Sequence, residues 1–150
     1  MATKVTQQIM TEVRSSKYFS IIVDSTPDIS HVDQLTFVVR YVLEDGSPVE
    51  RFVEFIPNAG HTGEDMFTAV DTTLQKHKIN VLNCRGQSCD NASNMSECYK
   101  GLQARIKNVS PSSEYIPCSA HSLNLVGKFA AENCSWEVCS RELHGGTLVF

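Results

Sequence analysis

The apolar run at Tyr18–Val23 is the most informative hydrophobic pattern in the chain. Its β-branched and aromatic side chains occupy both alternating faces, which predicts a central strand covered on two sides. The run ends at Asp24, and a turn-forming segment that contains Pro27 follows it. A carboxylate that closes such a strand would lie at the rim of a sheet, where open α/β sheets bind their ligands. For this aspartate taken alone, a turn-capping role is the favoured explanation.

A three-stranded antiparallel meander is predicted to include this run. Residues 33–43 and 48–56 alternate with a period of two, and Glu44–Ser47 between them is a hairpin turn with Gly46 where a positive φ is tolerated. The charged residues of the second of these segments place it near an edge of the sheet. A helical spacing of apolar residues predicts a helix over residues 3–15, before the meander.

Helices and strands alternate in the second half of the chain. A helix is predicted from the capping residue Thr62 to about His77, and residues 79–89 read as a strand that approaches Asp90. One continuous helix is then predicted to about Asn108, because four apolar residues recur on one helical face: Met95, Tyr99, Leu102 and Ile106. A short strand at Tyr115–Ile116 and a helix through Leu123, Val126 and Ala130 complete the pattern.

The predicted order is therefore β-β-β-α-β-α-β-α, an α/β fold. A meander followed by a helical crossover places the first and fourth strands side by side and parallel. Their carboxyl ends then meet at one rim of the sheet. We therefore expect Asp24 and Asp90 to lie close together although they are distant in the sequence.

Composition narrows the functional classes. The chain has 150 residues, 41% hydrophobic residues and a net charge of −4, which is typical of one soluble globular domain and disfavours a broad basic surface for nucleic acid. We see no secretory signal and no apolar run long enough to span a bilayer, so no membrane partner is expected. The six cysteines form no CxxC pair, and reduced thiols are expected.

Two carboxylates at one rim repel each other unless a cation lies between them or one of them is protonated. Their oxygens suit Mg²⁺ or Mn²⁺, which such sites use for phosphoryl transfer. This chemistry normally needs a third acid. Neither Glu132 nor Glu142 can be assigned to the rim from the sequence.

Cys118 and His121 form a C-x-x-H pair that could be half of a zinc site. No second pair with suitable spacing is present, so no structural zinc is expected. The histidine could instead contact a phosphate or a catalytic carboxylate. From spacing alone, a packed cysteine and a hydrogen-bonded histidine are the favoured explanation.

Three segments together resemble the core of hAT-superfamily transposases, and more closely the DUF4371 group of zinc finger MYM-type-like proteins and domesticated transposases. They are YFSIIVDSTPDISHVDQLTFVVRYV, NCRGQSCDNASNMSECYKGLQARIK and IPCSAHSLNLV. The resemblance implies an RNase H-like fold and DDE-type cutting and joining of DNA with a divalent metal. It implies that Asp24 and Asp90 are catalytic metal ligands and that His121 is a further catalytic residue. It also implies that Cys118 and His121 lie beside the active site, which reverses the preference from spacing at His121.

The sequence departs from this group at two positions and in its length. Asn91 and Glu97 stand where the group commonly has glycine, and Glu97 is expected to alter the turn. The resemblance covers about residues 5–133, so we expect a partial RNase H-like domain over 1–133 and a divergent tail over 134–150. The group's helical insertion and its catalytic glutamate would then lie beyond this chain.

These expectations lead to three functional hypotheses. The first is a hAT-transposase-derived domain, ancestrally a metal-dependent DNA-cleaving and strand-transfer enzyme, that is incomplete and inactive alone. The second is a domesticated module that binds protein or nucleic acid without cutting, and the third is a decayed reading frame. The resemblance implies a nuclear protein with DNA as its ancestral partner, and protein partners or a homo-oligomer remain open.

Overall fold

The computed structural model describes residues 2–27, 33–57, 59–90 and 92–133, in two compact units that divide between Cys118 and Ser119. The first unit contains ten elements: α1 (Ala2–Ser16), β1 (Phe19–Pro27), β2 (Asp33–Val42), β3 (Pro48–Pro57), α2 (Gly63–Lys76), a 3-10 turn (Val81–Asn83), β4 (Cys84–Cys89), α3 (Ser93–Ser96), α4 (Leu102–Val109) and β5 (Glu114–Pro117). The described part of the second unit is helix α5 (Ser119–Asn133). The predicted tail, residues 134–150, lies outside the described residues, so the predicted boundary at 133 stays a prediction.

The five strands form one mixed sheet in the order β3-β2-β1-β4-β5. β1 pairs with β2, and β2 with β3, in antiparallel fashion, whereas β1–β4 and β4–β5 are parallel. The predicted order of the strands, the meander and the parallel contact between the first and fourth strands are confirmed. The charged strand β3 is an edge strand, as predicted.

The hydrophobic core lies on one face of this sheet. Alternate residues of β2, from Leu35 to Tyr41, are at most 2% exposed, and they pack with buried residues of α1, α2 and α4, including Val13, Leu74 and Ile106. Burial of each such side chain contributes about 1.5–3 kcal/mol to folding. Period-two strands and period-3.6 helices therefore meet along one apolar layer.

No described element of the first unit packs on the opposite face of the sheet, which is the uncovered face of this unit. One row of register partners crosses all five strands there: Phe52, Val38, Ile22, Ser88 and Ile116. Ile22 and Val38 are half-buried, while Phe52 and Ile116 are 47% and 63% exposed. Within the first unit, α1, α2 and α4 contribute their buried residues to one face only, and coverage of the central strand on its second side stays a prediction.

The edge strand β3 carries a bulge. Glu54 lies opposite Phe37 and Phe52 lies opposite Val38, so Val53 has no partner position on β2. Such a bulge bends and twists the strand locally. Gly46 lies in the hairpin that joins β2 to β3 and has a φ of 86°. This agrees with the prediction that the turn places glycine where a positive φ is tolerated.

Helix α2 begins with the predicted cap. The Thr62 hydroxyl accepts a hydrogen bond from the Asp65 N–H at 3.1 Å, and the Asp65 carboxylate accepts the Thr62 N–H at 3.3 Å. This reciprocal arrangement satisfies two backbone donors that the helix itself leaves unpaired.

The helix predicted across residues 95–108 is broken in the structure. α3 ends at Ser96, and the Glu97 carboxylate accepts the backbone N–H groups of Tyr99 at 3.0 Å and of Lys100. α4 then starts after Gly101, where a Cβ would lie 2.5 Å from the Glu97 carbonyl oxygen. Tyr99 is consequently 82% exposed instead of packed on an apolar helix face.

The strand predicted across residues 79–89 begins only at Cys84. The Asn80 side chain accepts the Leu82 N–H at 3.0 Å and so starts the 3-10 turn that occupies the intervening residues.

No helix in the described ranges is both long and apolar enough to cross a membrane.

A pair of phenylalanine substitutions tests this one-sided core. Phe37→Ala removes a ring that is 0% exposed, so we expect the free energy of unfolding to fall by about 3–5 kcal/mol in urea denaturation. Phe55→Ala removes a ring that is 54% exposed, and we expect a loss of about 1 kcal/mol or less. Equal losses for the two variants would contradict the assignment of the covered face.

Candidate carboxylate site at the strand ends

The register of β1 with β4 positions the two predicted acids. The last parallel pair joins Val23 to Cys89, and Asp24 and Asp90 are the residues that immediately follow each member of that pair. Adjacent strands of a sheet lie about 4.8 Å apart. The two backbones that carry these carboxylates are therefore neighbours at one rim, as predicted.

Asp24 lies within a strand and not at its end. β1 continues to Pro27 with β2 as its partner, and Asp24 lies opposite Thr36 within that antiparallel ladder. The expectation that the strand stops at Asp24 is therefore wrong, because β2 supplies backbone partners beyond the point where β4 ends. Asp24 is exposed and lies on the same face as Ile22 by alternation along the strand.

Asp90 stands directly after β4 and shapes the loop that follows. Its Oδ1 accepts a hydrogen bond from the Ala92 N–H at 2.9 Å. Aspartate side chains commonly form a short turn in this way, by bonding to the backbone two residues later. Asn94 then donates from Nδ2 to the His61 carbonyl at 3.1 Å and so ties this loop to the segment before α2. Asn91, the first predicted departure, lies outside the described residues.

Glu97, the second departure, makes the turn that breaks the predicted helix. We expected it to alter the local turn, and its two acceptor bonds account for that change. The signal available in the sequence was the glycine four residues later, since Gly101 occupies the N-cap of α4.

Cys118 continues the pairing of β4 with β5. Its N–H donates to the Cys89 carbonyl at 3.1 Å, so the cysteine lies beside the residue that precedes Asp90. This places Cys118 next to the predicted site, and it is half-buried there. Its functional role stays a prediction.

The Cys89 thiol is a packing group. Burial, followed by the charge of Asp90, raises the pKa of Cys89 to about 12. The thiol is 4% exposed and therefore stays protonated at neutral pH.

His121 lies on α5, in the second unit, and is half-buried. Its assignment to the Asp24–Asp90 site stays a prediction from the resemblance. Glu132, considered as a third acid, makes an ion pair with Lys128 at 3.8 Å along the same helix. Glu142 lies outside the described residues.

The chemistry of the acid pair fits a hard divalent cation. Mg²⁺ and Mn²⁺ are bound through one or two carboxylates together with water and substrate phosphate. Across the described ranges, no group of three or more His, Cys, Asp or Glu side chains is arranged to hold a metal ion. Asp24 and Asp90 could therefore supply two oxygen ligands, and a third protein ligand has no assigned position.

The sequence matches the DUF4371 family, described as the ZMYM1/FAM200 RNase-like domain, over residues 1–101. It is also 31% identical to a mouse protein named "52 kDa repressor of the inhibitor of the protein kinase" and 30% identical to the human protein of that name. Each alignment covers 91% of this chain and 19% of the relative. The chain thus spans about a fifth of the length of these curated relatives.

Thiol alkylation of the folded chain tests the environment beside Asp90. At pH 8 we expect iodoacetamide to modify the exposed Cys98 and to leave Cys89 unmodified until denaturant is added. Peptide mass spectrometry reports each cysteine separately, and Cys84, also buried, is the matched control. If Cys89 in the native protein were modified as fast as Cys98, the burial of Cys89 between β4 and β5 would be contradicted.

Proposed function

This chain belongs to the DUF4371 family of RNase-like domains, and from that premise we propose that it is a transposase-derived domain with an RNase H-like fold. Asp24 and Asp90 are the proposed metal ligands of its ancestral DNA-cleaving and strand-transfer centre. The observation that supports this most directly is the parallel pair Val23–Cys89, because the next residue in each of the two paired segments is an aspartate.

The two acids would act through their oxygens and their accessibility. Asp24 is exposed and Asp90 is half-buried, so a phosphate group in solution can approach both. A bound Mg²⁺ or Mn²⁺ would neutralise the developing charge on a phosphodiester. The protein's part is to hold two carboxylates at fixed strand ends, with Asp90 oriented by its bond to Ala92.

We further propose that this chain does not cleave DNA on its own. Metal-dependent strand cleavage of this class needs a third acid, and two carboxylates leave a divalent ion weakly held. His121 is retained as a proposed participant on the basis of the resemblance alone. A nuclear location is proposed with it, since DNA is the proposed ancestral partner.

A second candidate function is a non-catalytic interaction module. Exposed apolar residues on the uncovered sheet face favour it, in particular the rings of Phe52 and Phe55, whose centroids are 4.8 Å apart. The relatives' name describes a repressor, and repression can depend on binding without cutting. Under this proposal the face would contact another protein or a second copy of this chain.

A manganese titration tests the proposed metal site. We expect Mn²⁺ to broaden amide NMR signals around Asp24 and Asp90 first, because paramagnetic relaxation falls steeply with distance. Asp24→Asn and Asp90→Asn keep side-chain size and remove a charge, and each should weaken binding by more than about tenfold. His121→Ala tests the remaining assignment in the same titration.

Asp71→Asn is the matched control, since Asp71 is an acid on α2 that accepts a hydrogen bond from Gln75. It should titrate like the wild type. If Asp24→Asn and Asp90→Asn also titrate like the wild type, the metal proposal fails. Metal-dependent cleavage of supercoiled DNA by the unmodified chain, abolished by Asp24→Asn, would instead refute its inactivity.

Sedimentation velocity separates the second candidate. Phe52→Ser with Phe55→Ser should convert any self-associated species to monomer if a second copy covers the uncovered face. An unchanged distribution that contains dimer would place self-association elsewhere. A strictly monomeric wild type would leave a different protein as the only partner compatible with this candidate.

A further inference from the structure

Two buried polar atoms in the first unit lack a hydrogen-bond partner among the described residues: Gln87 Oε1 and Tyr115 Oη. They belong to residues that lie directly opposite each other in the parallel β4–β5 register. Opposed residues on adjacent strands project to the same face, with backbones about 4.8 Å apart. A buried polar atom without a partner needs an explanation. Because these two atoms belong to paired residues, we look for one that accounts for both.

The amide orientation of Gln87 is fixed by its other end. Nε2 donates to the Gln103 carbonyl at 2.9 Å, on the face covered by α4. A flipped amide would point Oε1 at that carbonyl oxygen, so flipping cannot satisfy it. Gln87 is only 4% exposed, which keeps bulk water away from the remaining acceptor.

The Tyr115 hydroxyl is a donor at neutral pH. Burial, followed by the interaction with the Cys89 side chain, raises the pKa of Tyr115 to about 12. The Cys89 thiol lies close enough to this hydroxyl to interact with it, but sulfur is a weak hydrogen-bond partner and leaves room for a stronger one.

We propose that Gln87 and Tyr115 bind one buried water molecule between β4, β5 and α4. The water donates to Gln87 Oε1 and accepts from the Tyr115 hydroxyl, which gives both atoms a partner. A water in such a site is part of the fold, because polar groups that are buried without partners destabilise it. The site lies two residues before Cys89 along β4, so it supports the strand end that carries Asp90. The inference does not depend on the proposed metal chemistry.

The sign of one stability change tests this proposal. If the water is bound, Tyr115→Phe removes one of its partners, and we expect the melting temperature of the full chain to fall by roughly 2–6 °C. If the hydroxyl is unsatisfied, removing it relieves a buried polar group and the melting temperature should rise or stay constant. Tyr99→Phe is the matched control, since the ring of Tyr99 is 82% exposed and its change should be near zero.

A double-mutant cycle tests whether the two atoms share the water. Gln87→Met combined with Tyr115→Phe should lower the melting temperature by less than the sum of the single changes. Additive changes would overturn the bridge. The lost bond to Gln103 is common to both backgrounds and cancels in the cycle.

If Gln87→Met does not fold, the unmodified protein decides the matter. A crystal structure at high resolution should show a water within about 3.2 Å of both atoms. Water-to-ring cross-peaks at Tyr115 in NMR spectra should show a long-lived contact. A direct bond between Gln87 and Tyr115 in the crystal, or the absence of both signals, would overturn the proposal.

Discussion

The parallel contact between β1 and β4 is the constraint on which the first unit depends. The chain leaves β1, completes the meander, crosses through α2 and returns to the open side of β1. Only that return gives β4 a partner on one side and lets β5 pair on the other. This position of β4 also determines three other features: the packing of α4 on the core, the turn at Asp90 and the register of Gln87 with Tyr115. Loop closure over this distance is compensated by apolar burial along the covered face.

Much of this arrangement could be predicted from hydrophobic periodicity. The alternation in β2 fixes which residues face the core, and the crossover through α2 requires the next strand to be parallel to a neighbour. The break at Glu97 could not be predicted in the same way. Met95, Leu102 and Ile106 kept helical spacing on both sides of it, while the decisive interaction is a side-chain carboxylate that accepts backbone donors. Hydrophobic periodicity does not show when a side chain replaces a helical carbonyl as the acceptor of a backbone N–H.

The acids were predictable for a different reason. Asp24 and Asp90 each follow an apolar strand, and topology alone brings the two strand ends together. Their chemical roles are not contained in that geometry and rest on the family resemblance. The length of β1 was misjudged because Ser25, Thr26 and Pro27 have turn-forming preferences in isolation. Pairing with β2 outweighs those preferences, a tertiary effect that a single segment cannot reveal.

The bulged edge strand determines how this domain can meet other chains. β3 begins and ends with proline, skips Val53 in its register with β2, and carries Glu50, Arg51 and Glu54. Each of these features opposes the addition of a further strand, so the sheet resists growth into fibrils from this side. Any partner that exploits its exposed aromatic rings must therefore lie flat across the strands instead of extending the ladder. Contacts of this sheet are therefore restricted by direction: strand addition at β3 is disfavoured, whereas a flat contact across the strands is not opposed by these features.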